Sequence, residues 1–314
     1  MAEVNQHEIL KKMRSIFKGA ISLDQPLSEY TSMKIGGTVK FLLSPVDTHD
    51  LSNALNLLHL MDIPVSVLGA GTNLLISEQS LPRAVIQLNS DFFKSIKKDN
   101  NAVFVGAGVK LSEFINFFLN NGYTGCEFLA GIPGTIGGAL AMNAGARELV
   151  EHGDGCLHSI SELVIKVLVM NRFGDISLRT NNDLEFGYRI SNLKENIILG
   201  AWFKLYLADK YVIRSRIQEF LYRKKITQQY DLPNAGCVFK NPEGFNLSAG
   251  RMIEDCLLKG RCVGDAQVSS LHANFIVNLG NASFDETKSL INIIQHSVYE
   301  KFAVWLETEL DIWE

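Results

Sequence analysis

Apolar residues along the chain recur with two periods, and the switches between them mark out the elements. Residues 7–18 bring Ile9, Leu10, Met13, Ile16 and Phe17 to one side of an amphipathic helix. A loop, Thr31-Ser-Met-Lys-Ile-Gly-Gly37, leads to a strand near Lys40–Leu43. The spacing next predicts a helix over 49–60, a buried strand Val65–Leu68, strands at Ala84–Leu88 and Ala102–Val105, and a Phe-rich helix Leu111–Asn121. Further on, Leu163–Met170, Asp175–Arg179 and Ile197–Leu207 read as strands. Residues 211–225 read as a basic helix and Glu254–Lys259 as the end of another. A strand Asn274–Leu279 precedes the last helix, which opens on a capping box of Ser283 and Glu286. Its apolar stripe is Leu290, Ile294, Val298, Phe302 and Trp305. Leu306–Trp313 alternates as a half-buried strand does.

Strict βαβ alternation fails after residue 150, so the pattern predicts an α+β fold with a C-terminal lobe beginning near 205–212. A Rossmann fold is the competing reading. Gly69-Ala-Gly71 follows a strand, but Leu74 stands where the third glycine belongs and no helix follows.

Composition narrows the function classes. Hydrophobic residues make up 46% and charged residues 20%, the usage of an ordinary globular protein. Thirty Lys+Arg stand against 34 Asp+Glu, with no basic stripe to displace counterions, so nucleic acid is not an expected partner. A local basic pocket for an anionic small molecule stays open. Met1–Leu23 has no apolar h-region, and no stretch reaches the ~18 apolar residues of a membrane span. Five cysteines without a Cys-x-x-Cys fit reduced thiols better than disulfides or zinc. These features predict a soluble, intracellular protein with no membrane partner.

Two glycine-rich loops carry the candidate chemistry. The first is Leu68-Gly-Ala-Gly-Thr-Asn-Leu-Leu75. The second, Ala130-Gly-Ile-Pro-Gly-Thr-Ile-Gly-Gly-Ala139, runs on into Met142-Asn-Ala-Gly-Ala146. Glycines let successive N–H groups converge on one anion, and Thr72 and Asn73 add side-chain donors. Either loop alone reads better as a tight turn or as close strand packing. Together they suit a ligand with a pyrophosphate and a large flat ring.

With Phe186-Gly-Tyr-Arg189, Asn234-Ala-Gly-Cys-Val-Phe-Lys-Asn-Pro242, Gly264-Asp-Ala-Gln-Val-Ser269, His272-Ala-Asn-Phe-Ile-Val-Asn278 and Leu306-Glu-Thr-Glu309, these words resemble the UDP-N-acetylenolpyruvoylglucosamine reductase (MurB) family. The resemblance runs in order from about Thr31 to Ile312. It implies a vanillyl-alcohol-oxidase-type FAD-binding domain in two subdomains plus a C-terminal α+β substrate lobe. The implied boundaries are an N-terminal helix over 1–25, an FAD-binding domain over 26–208 split near 80–90, and a substrate-binding domain over 209–314. Non-covalent FAD is the implied cofactor, NADPH the co-substrate and a UDP-sugar the substrate. The implied protein is a cytoplasmic bacterial monomer.

The same resemblance assigns residues. FAD would be held by Gly69, Ala70, Gly71, Thr72, Asn73 and Leu74 in the first loop. The second loop would add Gly131, Ile132, Pro133, Gly134, Thr135 and Gly138. Arg189 would stabilise an enolate, Cys237 would donate a proton, and Glu309 would sit with Arg189 polarising the substrate carboxylate. A guanidinium suits that task because it stays charged and binds carboxylates bidentately. Tyr188, Lys225, Asn241 and His272 are implied substrate contacts.

Arg214, Arg216, Arg223 and Lys224 read as the solvated face of the basic helix. Cys126, Cys156, Cys256 and Cys262 read as packing residues, and His152 and His158 as loop histidines. Cys237 replaces the family's commoner serine, Thr308 its usual proline, and Arg147-Glu148 a frequent Tyr-Gly. The short interval from Arg189 to Cys237 matches the family's shorter type, without an inserted tyrosine loop. Two alternatives remain at this point: an FAD oxidase of the same superfamily, and a catalytically silent flavin-binding relative.

Overall fold

The largely apolar runs Val164–Met170 and Ile197–Lys204 become inner strands of the largest sheet, as expected for residues buried on both faces. The computed structural model describes residues 6–148 and 155–314. The sheet order is Ile176–Thr180, Val164–Met170, Ile197–Lys204, Ala102–Gly106, Ile96–Asp99, and every neighbouring pair is antiparallel. An antiparallel central sheet rules out the Rossmann alternative, which needs parallel strands joined by crossover helices.

The chain divides into two compact units. The first draws on Met1–Leu23, Lys40–Gly69 and Pro82–Leu221 and holds the large sheet. Its core gathers Phe41, Phe93, Phe114, Phe118 and Phe203, all fully buried. Phe114 and Phe118 lie on one face of the helix Leu111–Asn121, which ends where Gly122 adopts φ +71°. A second sheet orders Ala20–Pro26, Thr38–Ser44, Leu81–Ile86 and Val65–Val67. The helix Gln6–Ile16 packs on the helix Thr48–Leu60. Asp50, 2% exposed, fastens the backbone beside them by accepting from the N–H groups of Lys18, Gly19 and Val46.

The second unit takes Asp24–Val39, Ala70–Leu81 and Tyr222–Glu314. A four-stranded antiparallel sheet orders Asn234–Cys237, Phe275–Asn278, Ala266–Val268 and Cys262–Val263. The helix Phe284–Phe302 packs on it, with its capping box formed as the sequence predicts. Met33, Ile35 and Leu75 join this core from far upstream, and Asn278 Nδ2 donates to the Met33 carbonyl at 3.0 Å.

Three expectations change. Leu306–Trp313 is not one strand: Asp311–Trp313 pairs in parallel with Leu74–Ile76, while residues 307–309 bond to a different segment. Lys240 N donates to the Glu307 carbonyl and Glu309 N to the Val238 carbonyl, so the backbone changes partner at Leu310. Lys224 leaves the solvated face of the helix Lys210–Thr227, being only 8% exposed and in phase with buried Ile213. Cys156 and Cys262 are exposed and do not pack, whereas Cys126 is buried. Desolvation pushes the Cys126 thiol well above its usual range. His158 sits on the short strand Leu157–Ser159, and His152 lies outside the described residues.

Candidate active site

Glycine chemistry builds the first half of the site. The second loop turns through Gly131 (φ +76°) and Gly134 (φ +146°), conformations that side chains rarely tolerate. Thr135 then caps the helix Ile136–Ala141, its Oγ1 accepting from Gly138 N at 3.3 Å. The loop is pinned to the sheet end: Leu111 N donates to the Gly134 carbonyl, Ile136 N to Val109 and Gly137 N to Ala107. Gly69 of the first loop comes to this same place. A Cβ built on it would lie 2.9 Å from Thr135 Oγ1, so the two loops approach closely and a side chain at 69 would displace that hydroxyl. Such a glycine-lined, uncharged cradle suits a bulky group that needs close backbone approach, and FAD fits it.

Ala70 to Leu74 continue into the second unit. Gly71 adopts φ +65°, and a Cβ there would lie 2.0 Å from the Tyr30 carbonyl oxygen. Its own carbonyl accepts from Ser32 N at 3.0 Å. Asn73 does something the sequence did not signal. Its Nδ2 donates to the Glu309 carbonyl at 3.0 Å, and its carbonyl accepts from Asp311 N at 3.0 Å. Glu309 N in turn donates to the Val238 carbonyl at 2.7 Å, next to Cys237. The first glycine loop is therefore hydrogen-bonded to Glu309, and Glu309 to the residue after Cys237.

Cys237 ends a bulged strand, paired with Phe275 across the bulge. Gly236 before it has φ +80°, and Asn234 Oδ1 holds the Gly236 N–H at 3.0 Å. After it, buried Asn274 substitutes for a strand partner, accepting from Phe239 N and donating to the Phe239 carbonyl. This is why Asn-Ala-Gly precedes the thiol and Ala-Asn-Phe lies opposite. Asn241 Oδ1 accepts from Ala249 N, and His272 lies against Gly250 one residue on, so these two candidates share the start of the helix Ala249–Asp255. Burial, with Lys259 adding to it, lowers the His272 imidazole below its ordinary value. Its Nδ1 accepts the Asn274 N–H, which leaves the proton of the neutral ring on Nε2. Lys225 is exposed on the helix Lys210–Thr227.

Arg189 and Tyr188 form the turn of a hairpin, Phe186–Gly187 with Ile190–Ser191, in the first unit. Arg189 has φ +58°, its Nη2 donates to the Gly145 carbonyl at 3.0 Å, and its guanidinium carbon is 5.4 Å from the Tyr188 ring centroid. Among the described residues no cluster could hold a metal ion, and no helix is long and apolar enough to cross a membrane.

The fold and the glycine cradle define a flavoprotein. A family model of the FAD binding domain matches residues 39–198, and one of the UDP-N-acetylenolpyruvoylglucosamine reductase C-terminal domain matches 228–313. UDP-N-acetylenolpyruvoylglucosamine reductase of Desulforamulus reducens is 37% identical over 303 residues, 96% of each chain. That of Caldanaerobacter subterraneus subsp. tengcongensis is 38% identical over 315 residues, 99% of each chain. The crystal structure of the Thermus caldophilus reductase superposes with a TM-score of 0.76 at 32% identity, covering 95% of this chain and 99% of that one. The chain belongs to the UDP-N-acetylenolpyruvoylglucosamine reductase family. It is an FAD-containing oxidoreductase with a vanillyl-alcohol-oxidase-type cofactor domain.

Proposed function

We propose that this enzyme uses NADPH to reduce the enolpyruvyl group of UDP-N-acetylglucosamine enolpyruvate, giving UDP-N-acetylmuramate for peptidoglycan in the bacterial cytoplasm, and that it acts as a monomer. The observation that carries the reading is the patch in which Asn73 of the glycine loop bonds to Glu309, and Glu309 to the residue after Cys237. The residues proposed as cofactor loop, acid and proton donor are thereby close along one set of hydrogen bonds, which supports the reading.

FAD, when bound, supplies the hydride that NADPH provides. Gly69 to Leu74, with Gly131, Ile132, Pro133, Gly134, Thr135 and Gly138, would hold it. Hydride arriving at the terminal carbon of the enolpyruvyl group leaves negative charge spread onto the neighbouring carboxylate. The Arg189 guanidinium holds that carboxylate as a fixed, permanently charged donor, and Glu309 helps to polarise it. Cys237 then gives its Sγ proton to the adjacent carbon, and solvent restores the proton to the thiolate. Tyr188, Lys225, Asn241 and His272 serve the diphosphate and sugar.

The test is an anaerobic experiment in two steps: reduce the flavin with NADPH, remove the excess, then add the enolpyruvyl sugar and follow the oxidised-flavin band. Its prompt return is expected. A flavin that stays reduced until oxygen enters would move the function to an oxidase or a silent relative. Cys237→Ser is expected to keep measurable turnover. Cys237→Ala is expected to block the second step and leave NADPH reduction intact, and wild-type reoxidation in that variant removes Cys237 from the chemistry.

A further inference from the structure

The Tyr188–Arg189 turn sits on a short hairpin and is tied to residues outside it. Arg189 is left-handed at φ +58°, a conformation that L-residues rarely adopt. The flanking strands are two residues each, and so short a hairpin is marginal by itself. A strip 40-odd residues upstream adds a restraint.

Asn143, 5% exposed, reaches both ways: Nδ2 donates to the Gly187 carbonyl at 2.8 Å, and Oδ1 accepts from Ser161 N at 3.3 Å. Ser191 Oγ donates to the Ala141 carbonyl at 2.9 Å on the other side of the turn. The guanidinium itself is tied to the Gly145 carbonyl. Gly145 admits no side chain, because a Cβ would lie 2.0 Å from the His158 carbonyl oxygen. The strip is thus fixed at both ends, and it fixes the residue before Tyr188, the residue after Ile190 and the Arg189 head group. Asparagine is the suited residue at 143: it tolerates its own φ of +44° and puts a donor and an acceptor on one planar group.

We propose that Asn143, seconded by Ser191, is a positioning residue that holds the Arg189 guanidinium in its working orientation. The proposal rests on the assignment of Arg189 to the substrate carboxylate. Displacing a positioned group by about 1 Å costs on the order of 10²-fold in rate. The experiment uses holoenzyme carrying Asn143→Asp, which keeps shape and acceptor but loses the donor to Gly187, together with Arg189→Ala and the double variant.

Asn143→Asp is expected to retain FAD and to be reduced by NADPH at the wild-type rate. Its reoxidation by the enolpyruvyl sugar should slow roughly 10- to 100-fold. In the Arg189→Ala background Asn143→Asp should slow it no further, since the two act as one unit. Wild-type reoxidation in Asn143→Asp, or fully additive losses, overturns the proposal. So does a parallel loss of both half-reactions with release of FAD, which would place Asn143 in the cofactor loop. If Asn143→Asp does not fold, Ser191→Ala enters the same cycle, and its wild-type reoxidation overturns the clamp. Normal reoxidation in Arg189→Ala removes the carboxylate assignment and the clamp with it; slow reoxidation there beside a normal Asn143→Asp removes the clamp alone.

Discussion

Asn274→Ala tests the idea that a side chain here replaces a strand. Asn274 is 4% exposed and Phe239 1% exposed, so the two Phe239 backbone groups that Asn274 serves have no water to turn to. The bonds are 3.0 Å from Phe239 N to Oδ1 and 2.8 Å from Nδ2 to the Phe239 carbonyl. Each buried group left unpaired costs ~1–3 kcal/mol, so truncation should remove ~2–6 kcal/mol. Against a typical total of ~5–15 kcal/mol that is a large share. With a urea slope of ~1–3 kcal/mol per molar, the unfolding midpoint should fall by about 0.7 M or more. Tryptophan fluorescence is the assay, since Trp305 and Trp313 lie in the same unit. Asn274→Asp keeps the acceptor and sets a carboxylate against the Phe239 carbonyl. It should be comparably weak at neutral pH and recover on acidification, when the protonated carboxyl can donate. A loss below ~1 kcal/mol in Asn274→Ala would refute the reasoning.

Two further outcomes are expected. Gly71→Ala forces a Cβ toward the Tyr30 carbonyl at a φ of +65°, so the purified protein should carry much less FAD by its absorbance ratio; a full flavin content counts against the cradle. Burial lowers the pKa of the His272 imidazole in the folded chain, while the unfolded chain protonates it near pH ~6.5. Its share of stability is therefore complete above that pH and declines as pH falls toward the lower folded value. Thermal melts of His272→Gln should show a shallower loss between pH 6.5 and pH 5 than wild type, and an identical slope would remove His272 as its source.

Local rules were enough wherever neighbours in the chain decide the outcome. The Phe-rich helix Leu111–Asn121 and the Ser283–Glu286 capping box follow from spacing and from groups within one turn. The glycine loops were also legible, because a run of glycines announces backbone that must bend or be approached. The motif words around Arg189, Cys237 and Glu309 marked the candidates but not what fixes them. Asn143 stood in a quoted motif with no role, and Asn73 was assigned to the cofactor alone. Their partners are Gly187 and Glu309, which no local period links to them.

The same division explains the expectations that changed. Leu306–Trp313 alternates as a strand does, and alternation reports which side chains are half buried. It cannot report that the backbone bonds first to residues 238–240 and then to Leu74–Ile76. Lys224 looked like one more cation on a basic helix, and only the packed chain shows that its side of the helix is the buried one. By itself the sequence determined most element types, the α+β class and the residues able to do the chemistry, because these depend on side-chain type and short-range period. Tertiary structure alone decided which distant backbone groups meet. Those contacts close long loops, and their hydrogen-bond partners are chosen by packing, not by any nearby residue.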